Sequence, residues 1–202
     1  MTITGEFQKI ALQHPENIAL VSETEGSFSY QQLEEYSNYI ANELLSDKER
    51  IEVVGILLNR SFSLIAAMIG IMKAGMAYLP LDPSYPLDRL NWMLASSKTY
   101  KVICNDFTKD ILDDTHDFLV LNKLYEYSSE SVNYCNESNI ACVLYTSGST
   151  GMPNGVMMTH SSILNTLIWA MKYYNLSTDD VDLQIPSCSF TSSVQDIFGT
   201  LL

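Results

Sequence analysis

Apolar positions along the chain alternate between two periods. In "FSYQQLEEYSNYIANELL", Leu33, Tyr36, Ile40 and Leu44 recur every three or four residues and so share one helical face. Ser29, followed three residues later by Gln32, supplies a capping box at the start of that helix. The run "IEVVGILL" (51–58) is short and apolar without interruption, as in a strand buried on both faces. It leads into "SFSLIAAMIGIMKAG", a helix apolar nearly all round, with Ser61 to cap it and Gly75 to stop it. A strand at 77–81 follows, then proline-set turns, an amphipathic helix around 88–95, and short strands at 100–104 and 117–121. Residues 126–139, "EYSSESVNYCNESN", are polar and aperiodic, an exposed connection rather than a binding platform. After it come strands at 140–146 and 156–159, a helix over 161–174, a strand at 181–185 and the first turns of a helix in "SSVQDIFGTLL". This alternation predicts an α/β fold, a layered, largely parallel sheet with flanking helices. The final segment keeps an apolar face with no Gly, Asn or charged tail to close it, so the chain is expected to be incomplete relative to the fold it encodes.

Composition narrows the classes. The 202 residues, 47% apolar, provide core for one medium domain or for a piece, 1–202, of a larger one. A net charge of −13 argues against a sequence-independent nucleic-acid binder and against docking on an anionic membrane, since both need a basic face. It leaves nucleotide ligands open, because loop amides can hold phosphate within an acidic protein. Cys104, Cys135, Cys142 and Cys188 are scattered with no CxxC pair, the pattern of reduced thiols in a cytoplasmic protein. His14, His116 and His160 lie too far apart in sequence for metal-ligand spacing. The apolar stretch at 64–72 is cut off by Lys73 and is too short to span a bilayer.

The chemistry-bearing stretch is "YTSGSTGMPNGVMMTH" (145–160). Between 146 and 155 it places four hydroxyls (Thr146, Ser147, Ser149, Thr150) and three glycines (Gly148, Gly151, Gly155) directly after a strand. Glycines let backbone N–H groups converge on an anion, and hydroxyls add donors without bulk. The P-loop pattern is excluded because no Gly-Lys pair follows, and the dinucleotide fingerprint is excluded by the Gly148-x-x-Gly151 spacing. Taken alone, the run reads equally as a phosphate loop or as a turn of small residues.

The stretch has company. "LYTSGSTGMPNGVMMTH" resembles the phosphate-binding motif of adenylate-forming enzymes, the superfamily of acyl-CoA synthetases, luciferases and nonribosomal peptide synthetase adenylation domains. "IMKAGMAYLPLDPSYPLDRLNWML" is similar to the motif most characteristic of the peptide synthetase branch. "FSYQQL" resembles an early element of those domains, and "SFTSSVQDIFGTLL" sits where they carry Phe-Asp-x-Ser and an aromatic-rich helix. The resemblance covers nearly the whole chain and implies the N-terminal portion of the large adenylation subdomain. It further implies activation of an amino acid or other small carboxylic acid with ATP and Mg²⁺ to an acyl-adenylate. The acyl group would then be loaded onto a carrier-protein phosphopantetheine, with the remainder of the adenylation domain as a further partner.

By the same resemblance, Thr146, Ser147, Gly148, Ser149, Thr150, Gly151, Asn154 and Gly155 would hold the β- and γ-phosphates. Phe190, Thr191, Ser192 and Gln195 would line the acid pocket. Three departures stand out. Asn154 replaces the family's lysine, so a charge is exchanged for an amide. Thr191 occupies the place of the Asp that pairs with an α-ammonium, and Gln195 that of a frequent aromatic. The acidic Mg²⁺ ligand, the ribose-binding Asp, the hinge and the catalytic lysine belong to later motifs, so no catalytic residue is expected within 1–202 and the isolated chain is expected to be inactive. Two rival readings remain: a non-catalytic remnant acting as an interaction module, which Asn154 and Thr191 motivate, and an acyl- or aryl-CoA ligase. Lys73, Asp82, Asp88 and Arg89 read as scaffold charges on solvated or ion-paired faces, Met157 and Met158 as packing, and His160 as the start of a helix.

Overall fold

Short apolar runs build a six-stranded sheet whose central members are buried on both sides. The computed structural model describes residues 1–47, 52–113, 115–121, 127–128, 130–146 and 153–202. Strands β3 (Val53–Leu57), β4 (Ala77–Pro80), β5 (Lys101–Cys104), β6 (Asp117–Val120), β7 (Ile140–Thr146) and β8 (Asn154–Thr159) lie in the order β6-β5-β3-β4-β7-β8. All neighbours are parallel except β7 and β8, which pair antiparallel at one edge. A separate antiparallel hairpin, β1 (Ile18–Ser22) with β2 (Gly26–Ser29), precedes the sheet.

The helices follow the predicted caps. In α2 (Tyr30–Leu45) the Ser29 side chain accepts from the Gln32 N–H and the Gln32 side chain reciprocates, the capping box read from sequence. Ser61 caps α3 (Phe62–Lys73), and Gly75 takes a φ of 78° that a side chain would resist. One face of the sheet is covered by α1 (Ile3–Gln13), α2, α3, α5 (His160–Tyr174) and α6 (Thr191–Leu201), which pack with Val54, Ile56, Tyr78, Cys142 and Leu144. The other is covered by α4 (Leu87–Ser97), with Leu57, Leu79, Val102, Val143 and Tyr145 beneath it. Successive strand residues therefore feed opposite layers, which explains why these strands read as continuous apolar runs. Among the described residues no helix is long and apolar enough to cross a membrane.

Three local expectations change. No strand forms at 181–185; the alternation of Val181, Leu183 and Ile185 is real, but these side chains are 91%, 73% and 72% exposed and join no described ladder. Period-two patterning only permits a strand; pairing requires an edge to hydrogen-bond. Lys73 is ion-paired but not solvated: its side chain is fully buried against Glu34 at 2.6 Å and the Asn38 Oδ1 at 2.7 Å. The 126–139 connection is irregular where described, yet Val132 packs on the core and the Tyr134 N–H donates to the Lys73 carbonyl at 2.7 Å. His160 does open α5 and is wholly buried, its Nδ1 accepting the Ile3 N–H at 3.3 Å.

Candidate functional site

Two of the expected phosphate residues, Thr146 and Asn154, are described at the carboxyl end of β7, the end of a strand at which open α/β sheets bind ligands. Thr146 is the last residue of β7 and faces Asn154, the first of β8, across the antiparallel ladder; both are exposed. Ser147, Gly148, Ser149, Thr150 and Gly151 lie outside the described residues. The two flanking side chains alone offer a hydroxyl and an amide, hydrogen-bond donors without charge.

Gly155 has a packing role of its own. A Cβ there would stand 3.2 Å from the Tyr145 ring and 3.4 Å from its hydroxyl oxygen. That ring is fixed from below: its hydroxyl bonds the Met93 carbonyl at 3.1 Å and the Ser96 hydroxyl, and Trp92 meets it edge-on. The glycine thus lets β8 close over Tyr145 and keeps the hairpin seated on α4.

The acid-pocket candidates form one surface. Phe190 is the N-cap residue of α6, with extended backbone and a ring 58% exposed. Thr191, Ser192 and Gln195 are exposed on the first two turns, while Ser193, Val194, Ile197 and Phe198 turn into the core. Thr191 and Gln195 are four apart and Ser192 and Gln195 three apart, so helical spacing groups them on one side. Thr191, Ser192 and Gln195 thus share one exposed side of the helix, with Phe190 exposed at its start.

Strand register relates this surface to the β7 end. Tyr78 of β4 pairs with Cys142 of β7, so the two strands are neighbours and end on the same side of the sheet. Neighbouring strands run about 4.8 Å apart. The Ser189 hydroxyl donates to the Pro80 carbonyl at 3.5 Å, which pins the turn before α6 over the end of β4. Sequence reasoning set Asp82 aside as a scaffold charge, yet its carboxylate accepts from Ser187 at 2.6 Å and from the Ser84 hydroxyl at 2.7 Å. Partial burial opposes its charge, but the bonds from Ser187 and Ser84 and the nearby Arg60 guanidinium prevail and hold it below the usual carboxylate value. The only sequence signal was its place directly after a buried strand.

Beneath the edge, burial pushes the Cys142 thiol up to about 12 and the Cys188 thiol up to about 11. Both are protonated and unreactive at neutral pH. Among the described residues no group of three or more His, Cys, Asp or Glu is arranged to hold a metal ion.

The comparisons agree with this geometry. Bacitracin synthase 3 of Bacillus licheniformis is 42% identical over 211 residues, covering 100% of this chain and 3% of that protein. Gramicidin S synthase 2 of Brevibacillus brevis is 36% identical over 205 residues, again across 100% of this chain and 4% of its own length. Among solved structures, the AMPPNP-bound form of the nonribosomal peptide synthetase FmoA3 superposes with a TM-score of 0.90 at 26% identity, over 99% of this chain and 22% of that one. Its form bound to alpha-methyl-L-serine-AMP gives a TM-score of 0.89 at the same identity, over 100% and 22%. The chain thus spans a small part of the relatives it matches. The sheet, its loaded carboxyl edge and a match over residues 7–202 to the family described as AMP-binding enzyme lead to one assignment: the chain belongs to that family, among relatives that are nonribosomal peptide synthetases.

Proposed function

We propose that residues 1–202 form the phosphate- and acid-binding part of an adenylation domain that activates an amino acid or related carboxylic acid. In that reaction a carboxylate oxygen attacks the α-phosphorus of ATP, pyrophosphate leaves with the electrons of the broken P–O bond, and the acyl-adenylate passes its acyl group to a carrier-protein thiol. The observation that supports this reading is that β7 ends at Thr146 opposite Asn154, while the turn before α6 is bonded to the end of the neighbouring strand β4. FmoA3 was captured with AMPPNP and with an acyl-adenylate, which supports ATP as the nucleotide here.

The chain's own residues supply positioning. The Thr146 hydroxyl and Asn154 amide would donate to phosphate oxygens, and holding both reactants at one edge converts a bimolecular encounter into an oriented one. The whole reaction is proposed for the domain to which this stretch corresponds in its relatives.

The α6 surface makes the acid preference testable. Thr191 offers a hydroxyl where an α-ammonium would need a carboxylate, and an uncompensated ammonium in a pocket is costly. Acids without an α-amino group are therefore expected to bind about tenfold or more tightly than their α-amino counterparts, with Thr191→Asp reversing the order. Competition titration over matched pairs of acids checks this; preference for α-amino acids with Thr191 intact removes the assigned role of that position.

A further inference from the structure

The turn that launches α6 is tied to the end of β4 by one carboxylate. Asp82 lies two residues past β4 and uses both oxygens. Its Oδ1 accepts the Ser84 N–H at 3.0 Å and the Ser84 hydroxyl at 2.7 Å, and its Oδ2 accepts the Ser187 hydroxyl at 2.6 Å. From Ser187 the network runs forward: its Oγ accepts the Ser189 N–H at 3.4 Å, and its carbonyl accepts the Phe190 N–H at 3.0 Å. The buried Ser193, in the first turn of α6, donates back to the Phe190 carbonyl at 2.6 Å and the Cys188 carbonyl at 3.2 Å. On the upstream side, Arg60, three residues past β3, donates to the Ile185 carbonyl at 2.6 Å. Two strand ends thus grip the segment 185–190 from either side.

Phe190 caps α6 without a side-chain hydrogen bond, so nothing on the helix itself fixes its first turn in the usual way. The fixing comes from the turn before it. A carboxylate suits that task because both of its oxygens accept, and bonds to a charged acceptor are shorter and roughly twice as strong as neutral ones. An asparagine would offer one acceptor and point an N–H pair at a hydroxyl.

We propose that Asp82 is a positioning residue for the acid-binding segment: its carboxylate holds Ser187, and through Ser187 the turn from which Phe190, Thr191, Ser192 and Gln195 project. What is positioned rests on the proposed function; the link from Asp82 to α6 does not. The competing account is that α6 is placed by its apolar face alone, since Val194, Ile197, Phe198 and Leu201 are all buried.

Hydrogen–deuterium exchange on the 202-residue chain separates the two. In Asp82→Ala and in Ser187→Ala, amides at 187–194 are expected to exchange about tenfold faster while those of α5 keep their rates. The double variant is expected to exchange no faster than either single one, because both remove the same link, and Ser187→Thr, which keeps the hydroxyl, is expected to stay near wild type. Unchanged exchange at 187–194, strictly multiplying effects, or a uniform rise across the whole chain would each overturn the proposal. A second reading links the device to function: the dissociation constant for the preferred acid should rise in Asp82→Ala while that for ATP holds. An acid affinity that does not move despite faster exchange also overturns the positioning role. Loss of all ATP and acid binding in the wild-type chain would instead strike the proposed function, and the exchange result would still report on the link.

Discussion

Glu34→Ala is expected to destabilise the chain by about 3–5 kcal/mol, while replacing both partners, Glu34→Leu with Lys73→Met, leaves stability near or above wild type. Lys73 closes α3 with its side chain wholly buried, 2.6 Å from the Glu34 carboxylate, 2.7 Å from Asn38 and above the Phe7 ring. Burial pushes the ammonium down to about 8, and the Glu34 charge and hydrogen bond limit the fall. Removing Glu34 leaves an ammonium in an apolar layer between α1, α2 and α3. Lys73 can escape by shedding its proton, which at pH 7 costs at most about 5 kcal/mol for a group that ordinarily titrates at 10.5. Methionine at 73 with leucine at 34 instead removes both charges in similar volume and strands neither the ammonium nor the buried Glu34 Oε2. Urea unfolding midpoints at constant slope measure both changes. Equal losses in the two variants would mean that the pair contributes through attraction rather than through the cost of breaking it.

Acid sensitivity between pH 6.5 and 5 is expected to trace largely to His160. Its Nδ1 accepts the Ile3 N–H, so the proton sits on Nε2, a buried atom with no hydrogen-bond partner. Burial first, and then the positive chain start at Met1, push the imidazole down to about 4 from the usual 6.5. The folded state thus stays neutral in a range where the unfolded chain takes up a proton. Because the unfolded state binds more protons between pH 6.5 and 4, stability falls as the pH drops through that window and levels off below it. The slope is about 1.4 kcal/mol per pH unit at most, or about 2 kcal/mol by pH 5. His160→Gln, which keeps an acceptor for the Ile3 N–H, should flatten that part of the profile. Denaturant titrations at pH 7, 6 and 5 check it; an unchanged slope in the glutamine variant would assign the acid sensitivity elsewhere.

Most of the sheet was legible because its signals were local. The 140–146 run was found to the residue, and the Ser29–Gln32 box and the Ser61 cap sit where their spacing put them. The α1 helix and the β1–β2 hairpin went unread. In α1 the apolar residues Ile3, Phe7 and Ala11 recur every fourth residue behind a Thr2 cap, a pattern that was present but short. The β1–β2 hairpin closes through Glu23–Gly26, without the Asn-Gly pair that marks tight turns. The 181–185 misreading shows the opposite limit, since an alternating pattern says nothing about whether an edge is there to receive it. At the candidate site, the Asp82–Ser187 contact joins residues 105 apart and no periodicity announces it. For Lys73 the sequence left solvated and ion-paired faces both open, and the structure shows a buried ion pair, because burial of a charge depends on which helices meet over it.

The central proposal is that this sheet edge holds the phosphates of ATP with an amide, Asn154, in place of a cation. Calorimetric titration of the chain with ATP, beside Asn154→Lys, tests it most directly. Binding at roughly millimolar ATP is expected for the wild-type chain, tightening about tenfold or more with the lysine and weakening when AMP replaces ATP, since the restored charge would act on the outer phosphates. No heat of binding at millimolar nucleotide in either protein would contradict the account and favour a module that keeps the fold without the ligand.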